Sequence, residues 1–188
     1  MSVYCVRHGE TEWSLSGQHT GVTDIPLTEQ GRRLASDLQP MLAHQRFALV
    51  LTSPLQRSRE TCELAGLGQS AEIDSDLSEW DYGTYEGLTP AQIRKAAPNW
   101  VLFRDGAPGG EAPAEVGERV DRIIARVGSA EGDTALFAHG HILRVLAARW
   151  IGLPVEEGQR FLLDTGTVSI LGHYHGVPAI RVWNGSAA

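Results

Sequence analysis

Three short apolar segments, each followed by a helix-like pattern, constrain the fold of this chain most. They are VYCVR at 3–7, ALVLTS at 48–53 and TALFAH at 134–139. Each is rich in residues that favour strands and is short for a buried helix. Apolar strands that alternate with amphipathic helices are typical of a mostly parallel sheet covered on both faces. We therefore predict an α/β protein with three layers, α/β/α, around a mostly parallel mixed sheet.

The remaining segments fit one domain, 1–188, with a cap-like insertion at approximately 77–112. Residues 8–26 are predicted to form a polar loop. A short strand is expected near 71–73, and a hairpin of strands 167–174 and 179–183 is expected to join through Gly176-Val177-Pro178. The predicted helices span 28–45, 53–65 with Pro54 in the first turn, 90–97, 113–129 and 140–150.

Charge and composition narrow the classes of function. The net charge is −7 and no lysine or arginine cluster is present, which argues against nucleic-acid binding. No apolar run approaches the roughly 18 residues of a membrane span, and no signal-peptide pattern occurs at the amino terminus. Cys5 and Cys62 lie in different predicted elements, which favours free thiols and a reducing compartment. We expect a cytoplasmic protein without a membrane partner.

Polar residues follow each of the three apolar strands. Arg7 and His8 end the first strand, Ser53 ends the second, and His139 ends the third. In open α/β sheets, ligands bind beyond the carboxyl ends of parallel strands. These side chains are therefore expected to line one crevice, where locally gathered cations could bind a small anion despite the negative net charge.

Five motifs at and between these strand ends resemble the histidine phosphatase superfamily, also called phosphoglycerate mutase-like. They appear in the order of that family and span residues 3 to about 145. They are RHGET at 7–11, TGVTDIPLTEQG at 20–31, SPLQRSRET at 53–61, EWDYGTYEG at 79–87 and AHGH at 138–141.

The resemblance implies a phosphohistidine mechanism. His8 would attack phosphorus as a neutral imidazole, its other ring nitrogen donating to a backbone carbonyl. Arg7 and Arg57 would hold the phosphoryl oxygens, and a charged His139 would stabilise the transition state. Glu79, with a raised pKa, would protonate the leaving alcohol and then activate water. Spacing alone would not separate Glu79 from Asp81.

Further residues match substrate-side or phosphate-side positions of the family. Ser14 stands where the mutases usually carry asparagine. Arg59 is the alternative to Arg57 on the same predicted helix. His19 could reach the cleft. Trp80, Tyr82 and Tyr85 are expected to pack a loop onto the core. The matched positions are Thr11, Ser14, Thr20, Gly21 and Gly140.

The resemblance leaves the reaction outcome and the substrate open. The best match is a phosphomonoester hydrolase acting on sugar phosphates, of the sedoheptulose-bisphosphatase-like kind or with broad sugar specificity. Phosphoglycerate mutase is the alternative, with the α-ribazole phosphatase type behind it. Mutases carry a longer basic insertion after the acid, whereas here that stretch contains mainly Arg94, Lys95 and Arg104.

Two other classes of function remain as hypotheses. Histidines at i, i+2 in His139-Gly140-His141 and His173-Tyr174-His175 could bind zinc in a metal-dependent hydrolase, although no carboxylates stand at ligand spacing. A non-catalytic phospholigand-binding module would need to have lost a core residue, and all five are present. We expect no metal and no cofactor, a small phosphorylated metabolite as partner, and a chain compatible with a homodimer.

Overall fold

One mixed sheet of six strands forms the centre of the computed structural model, which describes residues 1–186. The strand order is β3-β2-β4-β1-β5-β6, and the first four strands in that order are parallel. β5 pairs antiparallel with β1, and β6 pairs antiparallel with β5. The strands are β1 Val3–Arg7, β2 Phe47–Thr52, β3 Ala71–Ile73, β4 Asp133–Ala138, β5 Val168–Tyr174 and β6 Val177–Gly185. This confirms the predicted mostly parallel mixed sheet.

Helices cover both faces of the sheet. Consecutive residues of β4 point to opposite faces of the sheet, and Leu136 belongs to one buried apolar cluster whereas Phe137 belongs to the other. The helices are α1 Glu12–Ser16, α2 Glu29–Asp37, α3 Gln39–Leu42, α4 Gln56–Leu64, α5 Pro90–Ala96, α6 Leu102–Asp105, α7 Pro113–Gly128 and α8 Gly140–Trp150. The predicted three-layer α/β/α arrangement is therefore confirmed. Within residues 1–186, no helix combines the length and the apolar character needed to cross a bilayer.

The helix predicted over 28–45 is interrupted. α2 ends at Asp37, and Leu38 caps both α2 and the following short helix α3. Pro40 lies at the start of α3 and cannot donate a hydrogen bond back into α2, which explains the break.

Two other boundaries differ from the prediction. α4 begins at Gln56 rather than at Pro54, because the Ser53 N–H still donates to the Phe137 carbonyl and keeps the chain with the sheet. The predicted polar loop contains α1, which has only five residues and too few apolar positions to show a helical period.

The carboxyl-terminal hairpin is confirmed, but its turn lies earlier than predicted. His175 and Gly176 both have positive φ, of 50° and 83°, as a two-residue hairpin turn requires. Val177 and Pro178 already belong to β6, where they pair with Tyr174 and His173.

Residues 77–112 contain one turn of 3-10 helix at Gly83–Tyr85 and the short helices α5 and α6. This segment packs against the rest of the domain. Its buried side chains, such as Trp80 and Phe103, share one apolar cluster with α7 and α8. Arg119 on α7 ties the start of this segment down by donating to the carbonyls of Asp76, Ser78 and Glu79. That this segment is a cap-like insertion in a single domain stays our proposal.

Candidate active site

The carboxyl ends of β1, β2 and β4 meet, and their polar residues lie together. The His8 N–H donates to Ala138 O at 3.0 Å, and the Ser53 N–H donates to Phe137 O at 3.0 Å. The rings of His8 and His139 lie edge to face with their centroids 5.0 Å apart. The sheet therefore brings together the strand ends that the sequence analysis places in one crevice.

His8 is held in one tautomer. Its Nδ1 lies 2.7 Å from the Gly9 carbonyl oxygen, which can only accept, so Nδ1 carries the proton and Nε2 carries the lone pair. Burial, followed by the positive charges of Arg57 and Arg7, holds the pKa of His8 well below its usual range. The ring is thus neutral, with a free basic nitrogen, which is the form a nucleophile requires.

Gly9 is required for a contact that sequence analysis missed. A Cβ on Gly9 would lie 2.2 Å from the carbonyl oxygen of Gly31 on α2, and a Cβ on Gly31 would lie 2.1 Å from the carbonyl oxygen of Glu10. Real Cβ atoms do not come this close to backbone, so two glycines let α2 pack directly on the loop that carries His8. The Gly9 N–H also donates to Thr61 Oγ1 at 3.0 Å, which links this loop to α4.

Arg7 lies against the first turn of α8. A Cβ on Gly140 would lie 3.3 Å from the Arg7 guanidinium carbon, so the absence of a side chain there makes room for the cation. Arg7 donates through Nη1 to the Leu163 carbonyl, whereas its buried Nε has no hydrogen-bond partner within residues 1–186.

Arg57 is fully buried and makes four hydrogen bonds. It donates through Nη1 to Thr23 O at 3.0 Å, through Nη2 to Thr20 O at 3.1 Å and Gly21 O at 3.0 Å, and through Nε to His139 Nδ1 at 3.2 Å. Arg57 therefore fixes both the 20–23 loop and the second histidine. Arg59, its sequence alternative, is exposed.

His139 was expected to carry a positive charge, but its surroundings favour a neutral ring. Its Nδ1 accepts from Arg57, so its Nε2 carries the proton and donates to Ser53 Oγ at 2.7 Å. Burial, followed by the positive charge of Arg57, holds the pKa of His139 well below its usual range. A ring enclosed beside a permanent cation is neutral, since a second positive charge there would be repelled.

Glu79 is seated on the amino terminus of α8. Its Oε1 accepts from the N–H groups of Trp80 at 2.9 Å and Ile142 at 3.0 Å, and its Oε2 accepts from the His141 N–H at 2.9 Å. Burial alone would raise the pKa of Glu79, but hydrogen bonding to His141 and to the neighbouring N–H groups outweighs it and holds the pKa well below its usual range. Burial therefore does not raise this pKa in the protein alone, because the carboxylate caps a helix.

Asp81, the alternative to Glu79, points elsewhere. Its Oδ1 accepts from the Gly83 N–H at 2.9 Å within its own turn. Glu79, by contrast, lines the cavity beside His8. The structure thus separates two carboxylates that spacing could not.

A small polar cavity of about 90 Å³ lies over these strand ends. Neither Arg57 nor His139 lines it; they lie behind its surface, as does Gly21. The predicted residues that line it are Arg7, His8, Thr11, Ser14, Thr20, Glu79 and Gly140. It is also lined by Gln18, His19, Tyr82, His141, Arg144 and Leu163.

The remaining predicted residues have structural partners as well. Thr11 caps α1: its Oγ1 accepts from the Ser14 N–H, and the Ser14 hydroxyl accepts from the Thr11 N–H. Thr20 and Gly21 offer their carbonyls to Arg57, and the Gly21 N–H donates to Glu86 Oε1 at 2.9 Å. A direct contact of these residues with substrate stays a prediction.

His19 lines the cleft, as the sequence analysis allowed. Three other functional candidates on the cavity surface, Tyr82, His141 and Arg144, escaped the sequence analysis or were given another role. Tyr82 belongs to the buried core, where it is 1% exposed, and also lines the cavity. His141 and Arg144 lie one and four residues beyond Gly140 on α8, so the helical spacing after AHGH is the signal that could have revealed them.

The paired histidines do not form the metal-binding pattern considered from the sequence. His139 contacts Arg57 and Ser53, whereas His141 contacts Tyr82 and Glu79. Within residues 1–186, no group of three or more His, Cys, Asp or Glu side chains is arranged to hold a metal ion.

Two histidines and two arginines gathered where parallel strands end, with a carboxylate across a small cavity, are the arrangement of a histidine-based phosphoryl-transfer enzyme. The chain belongs to the histidine phosphatase superfamily (branch 1), whose family model matches residues 3–186.

Individual relatives support the same assignment. The chain is 40% identical to an acid phosphatase of Mycobacterium tuberculosis over 181 residues, covering 94% of this chain and 89% of that protein. It is 37% identical to sedoheptulose 1,7-bisphosphatase of Saccharomyces cerevisiae, covering 81% of this chain and 68% of the relative. The solved structure of a Mycobacterium tuberculosis open reading frame superposes with a TM-score of 0.95 at 38% identity, covering 100% of this chain and 98% of the other. A mycobacterial glucosyl-3-phosphoglycerate phosphatase complexed with VO3 superposes with a TM-score of 0.87 at 28% identity, covering 98% and 99%.

Proposed function

We propose that the protein hydrolyses sugar phosphates through a phosphohistidine formed on His8. The observation that carries this proposal is the tautomer of His8, whose Nδ1–H is bound to Gly9 O while its neutral Nε2 is left at the cavity. A neutral imidazole can approach a phosphate dianion without the repulsion that an anionic nucleophile would meet.

The cations would neutralise the phosphoryl oxygens. Arg7 lines the cavity and has an unpartnered buried Nε, so its guanidinium can bind a phosphoryl oxygen directly. Arg57 would add its charge from behind the surface and hold His139 and the 20–23 loop in place. His139 would stay neutral behind the surface, where its Nε2–H donates to Ser53 Oγ and its Nδ1 accepts from Arg57.

Glu79 would serve as acid and then as base. In the first step, Nε2 of His8 bonds to phosphorus, the ester P–O bond breaks, and the leaving alkoxide takes a proton from Glu79. A phosphate dianion beside the carboxyl favours its protonated form, and the substrate would therefore supply the pKa increase that the protein alone does not. In the second step, water attacks phosphorus, Glu79 takes its proton, the P–N bond breaks and inorganic phosphate leaves.

Hydrolysis is favoured over transfer to a second hydroxyl. Arg94 and Lys95 are exposed on α5, and Arg104 pairs with Asp105 on the surface. None of them lines the cavity, so the 77–112 segment places no basic side chain there that could bind a substrate carboxylate. A phosphoglycerate mutase of Mesorhizobium japonicum is nevertheless 35% identical over 178 residues, which keeps the mutase as the second candidate.

Two of the relatives named above support the proposed substrate class, because one is a sedoheptulose 1,7-bisphosphatase and the other a glucosyl-3-phosphoglycerate phosphatase. We propose a small sugar phosphate as the partner, in the cytoplasm, with no nucleic-acid partner. A homodimer is compatible with this proposal and is not required by it.

Trapping the covalent intermediate tests the proposal. The protein is mixed with a ³²P-labelled sugar phosphate and quenched in alkali, and we expect label on His8 that is stable to base and lost in acid. His8→Ala should carry no label, whereas His44→Ala, an exposed histidine, should label normally. Acid-stable label, or label on another residue, would overturn the proposal.

Two further measurements separate the candidates. Vanadate should inhibit, because its trigonal-bipyramidal adduct on His8 resembles the phosphoryl transition state. Release of inorganic phosphate from a panel of sugar phosphates is expected, without conversion of 3-phosphoglycerate to 2-phosphoglycerate. Efficient formation of 2-phosphoglycerate would favour the mutase instead.

A further inference from the structure

Tyr82 and His141 form a buried pair on the cavity surface that the proposed mechanism does not use. The Tyr82 hydroxyl lies 2.6 Å from His141 Nδ1, although the two residues are 59 positions apart in the chain. Tyr82 is 1% exposed, and both side chains line the cavity beside Glu79.

The proton positions in this pair can be assigned. Within residues 1–186, the Tyr82 hydroxyl has no hydrogen-bond partner other than His141 Nδ1. A buried O–H that donated to nothing would lose the full value of its hydrogen bond to water. Tyr82 therefore donates to Nδ1, and the proton of the neutral His141 ring lies on Nε2.

The alternative tautomer is disfavoured by distance. In it, Nδ1–H would donate to the Tyr82 oxygen at 2.6 Å, because Glu79 Oε2 is 3.6 Å away and beyond a normal hydrogen bond, and the Tyr82 hydroxyl hydrogen would be left without an acceptor. Burial lowers the pKa of His141 despite the nearby Glu79, and burial raises the pKa of Tyr82 well above its usual range. Both groups thus stay neutral near neutral pH.

His141 Nε2–H is left available to a ligand. The ring packs against Phe103 with centroids 5.3 Å apart and lies near His19 at 5.8 Å, so its orientation is set by neighbours on two sides. About 21% of the His141 side chain is accessible, and no protein acceptor for Nε2 lies within residues 1–186. A donor that is oriented but unpaired on a cavity surface indicates a contact with a bound molecule.

We propose that His141 Nε2–H donates a hydrogen bond to a hydroxyl oxygen of the leaving alcohol and that Tyr82 is the positioning residue that fixes this donor. The proposal rests on the proposed function. The leaving alcohol is assigned because the His141 N–H also holds Glu79, the group that would protonate that alcohol. An uncharged donor suits an uncharged hydroxyl, whereas the phosphoryl oxygens have Arg7 and Arg57 nearby.

His141 is a specificity residue here and not a second acid. Loss of its Nε2 proton to an alkoxide would leave an imidazolate, or a tyrosinate if Tyr82 passed its proton on. Both anions are strongly disfavoured in a buried site. The ring therefore contributes a hydrogen bond, and the transferred proton comes from Glu79.

A matched pair of substrates and a matched pair of variants test this inference. Glycerol 1-phosphate and propyl phosphate have the same chain length and similar leaving groups, but only the first carries free hydroxyls. A glutamine amide reaches the position of Nε2, whereas an asparagine amide reaches only that of Nδ1. In His141→Asn, the ratio of kcat/KM for glycerol 1-phosphate over propyl phosphate should fall about 10-fold, as loss of one hydrogen bond predicts. His141→Gln should restore most of that ratio.

A spectroscopic readout tests the role of Tyr82 separately. In ¹⁵N histidine spectra, the His141 resonances, identified by their loss in His141→Gln, should show protonated Nε2 and unprotonated Nδ1. Tyr82→Phe should mix the two tautomers and lower the substrate ratio by a factor of about two to five. A merely structural tyrosine would change neither the tautomer nor the ratio.

The outcomes separate this inference from the proposed function. If His141→Asn hydrolyses both esters with the wild-type ratio, or if wild-type His141 carries its proton on Nδ1, the inference is wrong and the phosphatase assignment stands. If the wild-type protein hydrolyses neither ester and forms no phosphohistidine, both are wrong.

Discussion

The two sides of the cavity are built in different ways. One side, called here the floor, consists of Arg7 and His8 on the cavity surface and of Arg57 and His139 directly behind them. All four residues lie at or soon after the carboxyl ends of three parallel strands. The other side, called here the wall, consists of His19, Glu79, Tyr82, His141 and Arg144, which come mainly from loops and the first turns of α8. Strand order fixes the floor, whereas hydrogen bonds between residues far apart in sequence fix the wall.

The two sides also differ in charge. On the floor, burial and the nearby guanidinium groups lower the pKa of both histidines and keep them neutral. On the wall, hydrogen bonding to His141 and the neighbouring N–H groups outweighs burial and keeps Glu79 ionised. The floor is therefore suited to binding an anion and the wall to accepting a proton, which is the division that a two-step phosphoryl transfer requires.

The largest effect is expected from removing a buried floor cation. Arg57→Ala should lower kcat/KM about 10³-fold or more with any phosphate ester, because it removes charge beside the phosphoryl group and frees His139 and the 20–23 loop together. Steady-state kinetics with p-nitrophenyl phosphate measures this loss.

Its controls lie on the same helix. Arg57→Lys should not restore activity, since an ammonium cannot make four bonds in one plane. Arg59→Ala, which removes an exposed arginine two residues away, should keep activity within about twofold. A similar loss from both alanine variants would show that α4, and not the Arg57 guanidinium, is what matters.

The contrast between floor and wall also explains what the sequence could predict. The apolar strands and their polar ends are local patterns, so the sheet and the meeting of His8 with His139 followed from the sequence. The choice of Arg57 over Arg59 came from the family resemblance, and burial agrees with it.

The wall could not be predicted in the same way. The hydrogen bond from the His141 N–H to Glu79 joins residues 62 positions apart in the chain. The pKa of the Glu79 carboxyl therefore depends on N–H groups that only the tertiary fold brings to it. Burial was expected to raise this pKa, and in the protein alone it does not prevail, whereas the increase expected from an adjacent phosphate stays a prediction. Tyr82 was assigned only to core packing for the same reason, since an aromatic in a loop gives no local sign that its hydroxyl meets a histidine 59 positions away.

A smaller and more selective effect is expected on the wall. Glu79→Gln should slow hydrolysis of an alkyl phosphate by about 10²-fold, the usual value of a positioned acid or base. p-Nitrophenyl phosphate, whose leaving group needs no proton, should lose much less in its first step. Burst kinetics, which separate phosphorylation from dephosphorylation, provide the measurement. Equal loss in the phosphorylation step for both substrates would contradict the acid role.

The low pKa of Glu79 also predicts a pH dependence of stability. Because the folded-state pKa lies below the unfolded value of about 4.3, ionised Glu79 stabilises the fold above that pH, and this contribution is lost as pH falls through the folded-state pKa. Urea unfolding should show Glu79→Gln destabilised most near pH 6, with the difference from wild type shrinking below about pH 4. A difference that is constant between pH 3 and pH 6 would mean that Glu79 is not ionised preferentially in the fold.

The smallest effect on chemistry, but a clear one on stability, should come from the glycine contact under the floor. In Gly31→Ala, the new Cβ would overlap the Glu10 carbonyl at 2.1 Å and push α2 away from the His8 loop. We expect a loss of about 2–3 kcal/mol in the free energy of unfolding and a moderate fall in kcat, because a displaced Gly9 weakens the bond that fixes the His8 tautomer. Gly128→Ala is the matched control, since Gly128 is also a helical glycine, at the end of α7, but a Cβ there meets nothing within 4 Å. That variant should gain about 0.5–1 kcal/mol with unchanged kcat, because alanine restricts the unfolded chain more than glycine does. If Gly31→Ala also gained stability, α2 would not need direct backbone contact to hold the floor.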